Sequence, residues 1–332
     1  MKIAELRNIA KDLDQETTAK LLAECYKALP KAKKEEFDPF LNNPTLLLQP
    51  RQKIIETVDY DSLFSEIDGF VSDARCGFYF APNHFVPKGL RARWRKNVGR
   101  YIKDLSAVEP ESPIYKEAVL HLFDVYKVLC QGCDEYLFSS NDTFASLRIE
   151  QDSLFERIVH GMLCVDCTEE KFRDLITAAC CSGLSFNSLH IQMYTILAVD
   201  SIRFHKDAVI YQLTKDLIEE TEEKYRAAKQ KNRYPDSSRK YFFTNRIQEY
   251  LDFAVCLNLK TDYLEEARNF FWLHSTEPDR STALDSLLRS FEYFSTNEEW
   301  LNTYNDGIMK RKIKVTGYLE NQHQTHLNLV QK

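Results

Sequence analysis

A chain of 332 residues with 44% hydrophobic and 28% charged side chains is long and apolar enough to bury a substantial core, which excludes general disorder. No apolar run in it approaches the roughly 20 residues that a membrane-crossing helix needs. The formal charge of −6 argues against binding polyanions over the whole surface, so any such site must be a local concentration of Lys and Arg.

The opening "MKIAELRNIAKDLDQ" spreads its charges where a signal peptide needs an apolar block. The nine cysteines are odd in number and sit inside helical patterns such as "LLAECYKAL" and "LDFAVCLNL", as free thiols of a reducing compartment do. A cytoplasmic location without membrane association is therefore expected.

Periodicity at three- and four-residue steps predicts helices at 14–28 and 61–75. Between 76 and 87, "CGFYFAPNHFVP" is the one stretch that suggests local extension. It is also the best candidate for a functional loop, because it gathers Tyr79, Asn83 and His84 among aromatics and two prolines. Its plainer reading is an aromatic-anchored connection packed on neighbouring helices.

The next predicted helix, 88–107, opens "KGLRARWRKNVGRYIKDL", with seven Lys/Arg ahead of Asp104. At roughly 100° per residue, Leu90, Trp94, Val98, Tyr101, Ile102 and Leu105 share one face. Arg93, Lys96, Arg100 and Lys103 share the other, a spacing suited to phosphate backbones. The competing reading is an ordinary solvated flank neutralised within the fold. Two further basic clusters follow at 224–246, with Tyr225, Tyr234 and Tyr241 interleaved, and at 310–314, "KRKIK".

Across 112–137 the series Ile114, Ala118, Leu122, Tyr126, Cys130, Cys133, Leu137 follows one helical face, with Ser112 and Pro113 placed to start the helix. In the helix predicted at 147–167, His160, Cys164 and Cys167 lie opposite a core-facing arc of Leu154, Phe155, Ile158, Val159 and Met162. Those three are the only metal-ligand candidates worth naming. An antiparallel hairpin sets Cys130 and Cys133 some 24 Å from Cys164, too far for one zinc ion to join the two Cys-x-x-Cys pairs. A second packing interface explains the stripe without metal, and no cofactor is expected.

Helices are predicted onward at 168–182, 187–200, 204–231, 239–258, 262–275, 281–294 and 297–313, the last opened by a capping box of Thr296 and Glu299. "TDYLEEARNFFWLHSTEP", 261–278, resembles the second helix of a tetratricopeptide repeat, with Ala267 at the small packing position, Phe271 at the aromatic one and Pro278 ending the unit. The resemblance spans roughly one repeat, some 30 residues, and implies a helical-hairpin array with a binding surface in place of a catalytic centre.

The expected fold is all-α: about 12–14 helices stacked as antiparallel hairpins in an α-solenoid-like array. Polar, proline-bearing breaks at 106–113 and 231–239 divide it into regions 1–110, 111–235 and 236–314, with 315–332 expected as a flexible tail. No Gly-rich phosphate loop, His-Glu-x-x-His or Gly-x-Ser-x-Gly pattern occurs, so no catalytic residue is assigned. A protein-interaction module or scaffold with an unidentified protein partner is the leading expectation. Nucleic-acid binding through 88–105 is the second, and an enzyme with a dispersed site near 76–87 is the third.

Overall fold

The structure, a computed structural model, describes residues 3–44, 58–80, 84–231, 237–261, 263–315 and 317–331. The chain forms two compact units, Met1–Thr57 and Val58–Lys332. Among the described residues every regular element is a helix, as the periodicity requires. None of these helices is long and apolar enough to cross a membrane.

The first unit holds α1 (Ile3–Asp12), α2 (Gln15–Ala28) and α3 (Lys31–Asn42). Asp14 starts α2 by accepting from the Thr17 amide at 2.8 Å. Pro39 lies inside α3, a helix that proline-based sequence reading passes over. No described side chain of this unit is buried, and Ile9, Leu21, Leu22, Phe37 and Leu41 are all exposed.

In the second unit the first helices are α4 (Tyr60–Arg75), α5 (Lys88–Arg91), α6 (Trp94–Leu105), α7 (Tyr115–Asp134), α8 (Thr143–Leu147) and α9 (Gln151–Cys164). They are followed by α10 (Glu169–Cys181), α11 (His190–Arg203), α12 (Asp207–Lys231) and α13 (Ser237–Lys260). The chain continues through α14 (Leu264–His274), α15 (Arg280–Phe294), α16 (Asn297–Met309) and α17 (Gly317–Val330). Alternate helices pack in series: α7 on α9, α9 on α11, α11 on α13, and α13 on α15. Helix α13 also meets α10, α12 and α14 and is buried along most of its C-terminal half.

The predicted face of α7 is buried at Ala118, Leu122, Tyr126 and Cys130, but the helix begins at Tyr115 without a side-chain cap. Ser112 therefore does not cap it; its carbonyl accepts from the Tyr115 amide in a preceding turn. The Thr296–Glu299 capping box is formed as expected. The segment expected as a flexible tail is helix α17. The reason is stacking: His323 lies 4.3 Å from the Tyr304 ring and His326 4.0 Å from that of Trp300. Histidines read as polar in a periodicity count, yet their rings cover aromatic faces.

A polar seam joins α13 to α15, where Gln248 Nε2 donates to Asp252 Oδ1 at 2.9 Å and to Ser286 Oγ at 3.4 Å. The Asp252 carboxyl sits in this seam although the residue keeps some exposure, and burial, with Glu249 beside it, pushes its pKa up to about 8. The folded protein thus holds a proton that the unfolded chain releases above about pH 4. Stability contributed at this position is complete below pH 4 and falls as pH rises towards 8. Asp252→Asn, which stays neutral, is expected to melt close to the wild type at pH 4 and clearly above it at pH 8.5. Thermal melts at the two pH values check this; equal shifts at both would contradict it.

Candidate functional site

Helix α6 is seated by an aromatic cluster. Trp94, Val98, Tyr101 and Leu105 are buried, and the Phe138 ring lies 4.4 Å from Trp94, with Phe70 and Tyr79 stacked beside it at 6.2 and 5.8 Å. The predicted long helix breaks at Ala92–Arg93, so Leu90, expected on the buried face, is 40% exposed. Arg91 turns back instead, donating to the Phe80 carbonyl oxygen at 3.1 Å.

The break leaves the cationic stripe in place. Arg93, Lys96, Arg100 and Lys103 are all exposed. Arg100 is neutralised by Glu66 of α4, which also accepts from the Tyr101 hydroxyl at 2.9 Å. Burial works to raise the Glu66 carboxyl, but the hydrogen bonds from Arg100 and Tyr101 outweigh it and hold the group below its ordinary range. Arg93, Lys96 and Lys103 have no ion pair among the described residues.

At its C-terminal end the stripe runs into a cleft of about 460 Å³ lined by Lys103, Ser106, Arg148, Glu150, Ser153 and Arg157, among others. Arg157 reaches it by donating to the Ser106 carbonyl oxygen at 3.3 Å. Arg148 ends α8 in the left-handed region, with φ of 57°. Neither arginine belongs to the periodic pattern of α6. Packing of α8 against α6 brings Arg148 there, a tertiary contact that sequence spacing does not record. Along α6, Lys96 and Lys103 stand roughly 10 Å apart at the rise of an α-helix.

The loop candidates are separated. Tyr79 is buried, stacked on Phe138 and tilted against Phe70, and burial together with Asp73 and Glu66 pushes its pKa up to about 12. His84 is exposed, without a hydrogen bond to another side chain among the described residues. Asn83 lies outside the described residues. The buried ring acts as an anchor for the connection between α4 and α5.

The expected stripe is divided: His160 and Cys164 face α11, whereas α9 ends at Cys164 and leaves Cys167 beyond it, near Lys116 of α7. His160 Nδ1 is 3.6 Å from Asp200 Oδ2 and its ring meets Phe204 edge-on at 5.0 Å; Cys164 is exposed and Cys167 half-buried. Among the described residues no group of three or more His, Cys, Asp or Glu is placed to hold a metal ion. Cys130 is turned to the opposite end of the hairpin, 3.4 Å from Gln151 Nε2, and burial raises its pKa.

In the second basic cluster Lys229 covers the Tyr225 ring at 4.2 Å, which closes that face to a base, whereas Tyr241 is 71% exposed. Tyr234 lies outside the described residues. Comparison of the chain with protein-family models, curated proteins and solved structures yields no match.

Proposed function

We propose that the chain is a helical protein-interaction scaffold. The observation that carries this reading is the first unit. Three helices without a buried side chain among the described residues, yet presenting Ile9, Leu21, Leu22, Phe37 and Leu41, gain little from their own packing. Such helices are stabilised by an apolar surface supplied from outside the unit. The serial packing of alternate helices from α7 to α15 supports an α-solenoid-like array, in which α13 and the repeat-like α14 form one hairpin.

A second reading is favoured by one specific observation: Arg93, Lys96 and Lys103 have no ion pair among the described residues, and the stripe leads into the Arg148–Arg157 cleft. That surface suits a nucleic-acid backbone.

Capture of partners by the intact protein from its own cell lysate, with and without nuclease, separates the two. The scaffold reading expects nuclease-resistant protein partners that are lost from a Leu22→Asp/Phe37→Asp variant and kept by Lys96→Glu/Lys103→Glu. Partners lost on nuclease treatment, and lost from the lysine variant alone, would replace it with the nucleic-acid reading. In that case retention also falls steeply between 50 and 200 mM salt.

A further inference from the structure

The third basic cluster, 310–314, does not join the α6 surface. It closes a cleft of about 590 Å³ between the end of α14, the start of α15 and the end of α16, lined by Trp272, Arg280, Lys310, Arg311 and Lys312 among others. Helix α16 stops at Met309 because the chain folds back on it: the Arg311 amide donates to the Asp306 carbonyl and the Ile313 amide to that of Gly307, both at 3.2 Å. Buried Ile313 pins the turn. Three consecutive cations are thus held on a turn and not along a helix.

Their charges are poorly balanced. Lys310 pairs with Asp306 at 3.1 Å. Arg280, Arg311 and Lys312 have no ion pair among the described residues. Arg311 lies 4.5 Å above the Trp272 ring, and its pKa is lowered by burial and then by the neighbouring Arg280. Of the two acids on the rim, Asp279 is engaged in capping α15, accepting from the amides of Ser281 and Thr282 at 2.8 and 2.9 Å. Burial raises the pKa of the other, Glu277, against the opposing pull of Arg289.

Cations at a helix C-terminus complement the dipole, which accounts for Lys310. The same rule opposes Arg280, the first residue of α15, where positive charge is unfavourable. Lys312 sits at φ of 55°, a position that ordinarily takes glycine. Two locally unfavourable placements and one half-buried arginine, all converging on one cleft, are explained together by an anion that neutralises them.

We propose that this cleft binds a small polyphosphorylated molecule through Arg280, Arg311 and Lys312. Its volume lies within the range of small-molecule sites and exceeds what a single phosphate fills. The recognised chemistry is two or more phosphoryl groups, whether from a nucleoside triphosphate, an inositol polyphosphate or an inorganic chain. The inference is independent of the scaffold reading.

Isothermal titration of the full-length protein at physiological salt, with tripolyphosphate, ATP and inositol hexakisphosphate as separate probes, tests it. At least one probe binds with a stoichiometry of one and loses ten-fold or more in affinity in Arg280→Gln/Lys312→Gly. That variant melts no lower than the wild type, because Arg280 is exposed and glycine accepts the Lys312 backbone. Equal affinity for ATP and tripolyphosphate assigns recognition to the phosphate chain, and tighter ATP adds a contact to the base; both support the site. Absence of binding by all three probes overturns the proposal. So does binding that survives Arg280→Gln/Lys312→Gly but disappears in Lys96→Glu/Lys103→Glu.

Discussion

Phe138→Ala is expected to destabilise the second unit by about 3–5 kcal/mol, the range for deleting a buried Phe ring where the surroundings relax only in part. Phe138 is fully buried and touches three aromatic rings contributed by different segments: Phe70 of α4, Tyr79 of the following turn and Trp94 of α6. The site cannot collapse easily, since the backbone of α7 approaches it at Gly132, where even a methyl group would stand 2.7 Å from Phe138 Cδ2. For a unit of this size the loss corresponds to a fall in melting temperature of roughly 5–15 °C. Trp94 then loses its closest ring partner, so the intrinsic fluorescence of the folded variant shifts to the red. Phe138→Leu, which keeps most of the volume, is expected to lose less than half as much. If both variants melt together near the wild type, the aromatic cluster does not seat α6, and the orientation of the cationic stripe needs another cause.

The seat of α6 also shows what can be read from a linear pattern. Trp94, Val98, Tyr101 and Leu105 fall on one face by pitch alone, and all four are buried. Leu90 obeys the same pitch and is exposed, because the helix breaks two residues after it and the wheel no longer applies across the break. Helix α3 was illegible because Pro39 argues against an interior helical position, yet here the helix continues through it. Helix α17 was illegible because its anchors are histidines stacked on Trp300 and Tyr304. The stripe itself was legible, since it depends on one helix. Its neutralisation at Arg100 by Glu66 and its extension by Arg148 and Arg157 were not, because they join residues from different helices. The cleft at 310–312 lies between these cases: the cations stand out in the sequence, and only the fold brings Arg280 to them.

Contacts of that second kind give the other large expected effect. Gly183→Ala is expected to destabilise by roughly 3–5 kcal/mol, since a methyl group there has nowhere to go and displaces hydrogen-bonded backbone. An added Cβ would collide with the Cys130 carbonyl oxygen at the end of α7 and stand 2.6 Å from Asp134 Cγ. The close approach serves a set of buried hydrogen bonds. Gln151 Nε2 donates to the Gly183 carbonyl oxygen at 3.0 Å, and Gln151 Oε1 accepts from the Ser185 amide at 2.7 Å. Asp142 accepts from the Ser185 hydroxyl at 2.8 Å and the Phe186 amide at 3.0 Å, while its other oxygen caps α8 at Ala145. Burial works to raise the Asp142 carboxyl, and these hydrogen bonds more than offset it and hold the group below its ordinary range. Pushing residues 183–186 outward leaves buried donors and acceptors unpaired, each at about 1–3 kcal/mol. Gly99→Ala supplies the contrast. Gly99 lies inside α6 with nothing within 4 Å of an added Cβ, so the same substitution there is expected to stabilise by about 0.5–1 kcal/mol. Denaturant unfolding of the two variants should therefore move the midpoint in opposite directions. A Gly183→Ala midpoint at or above that of the wild type would show that the clamp between α7 and the α10–α11 connection does not constrain this position.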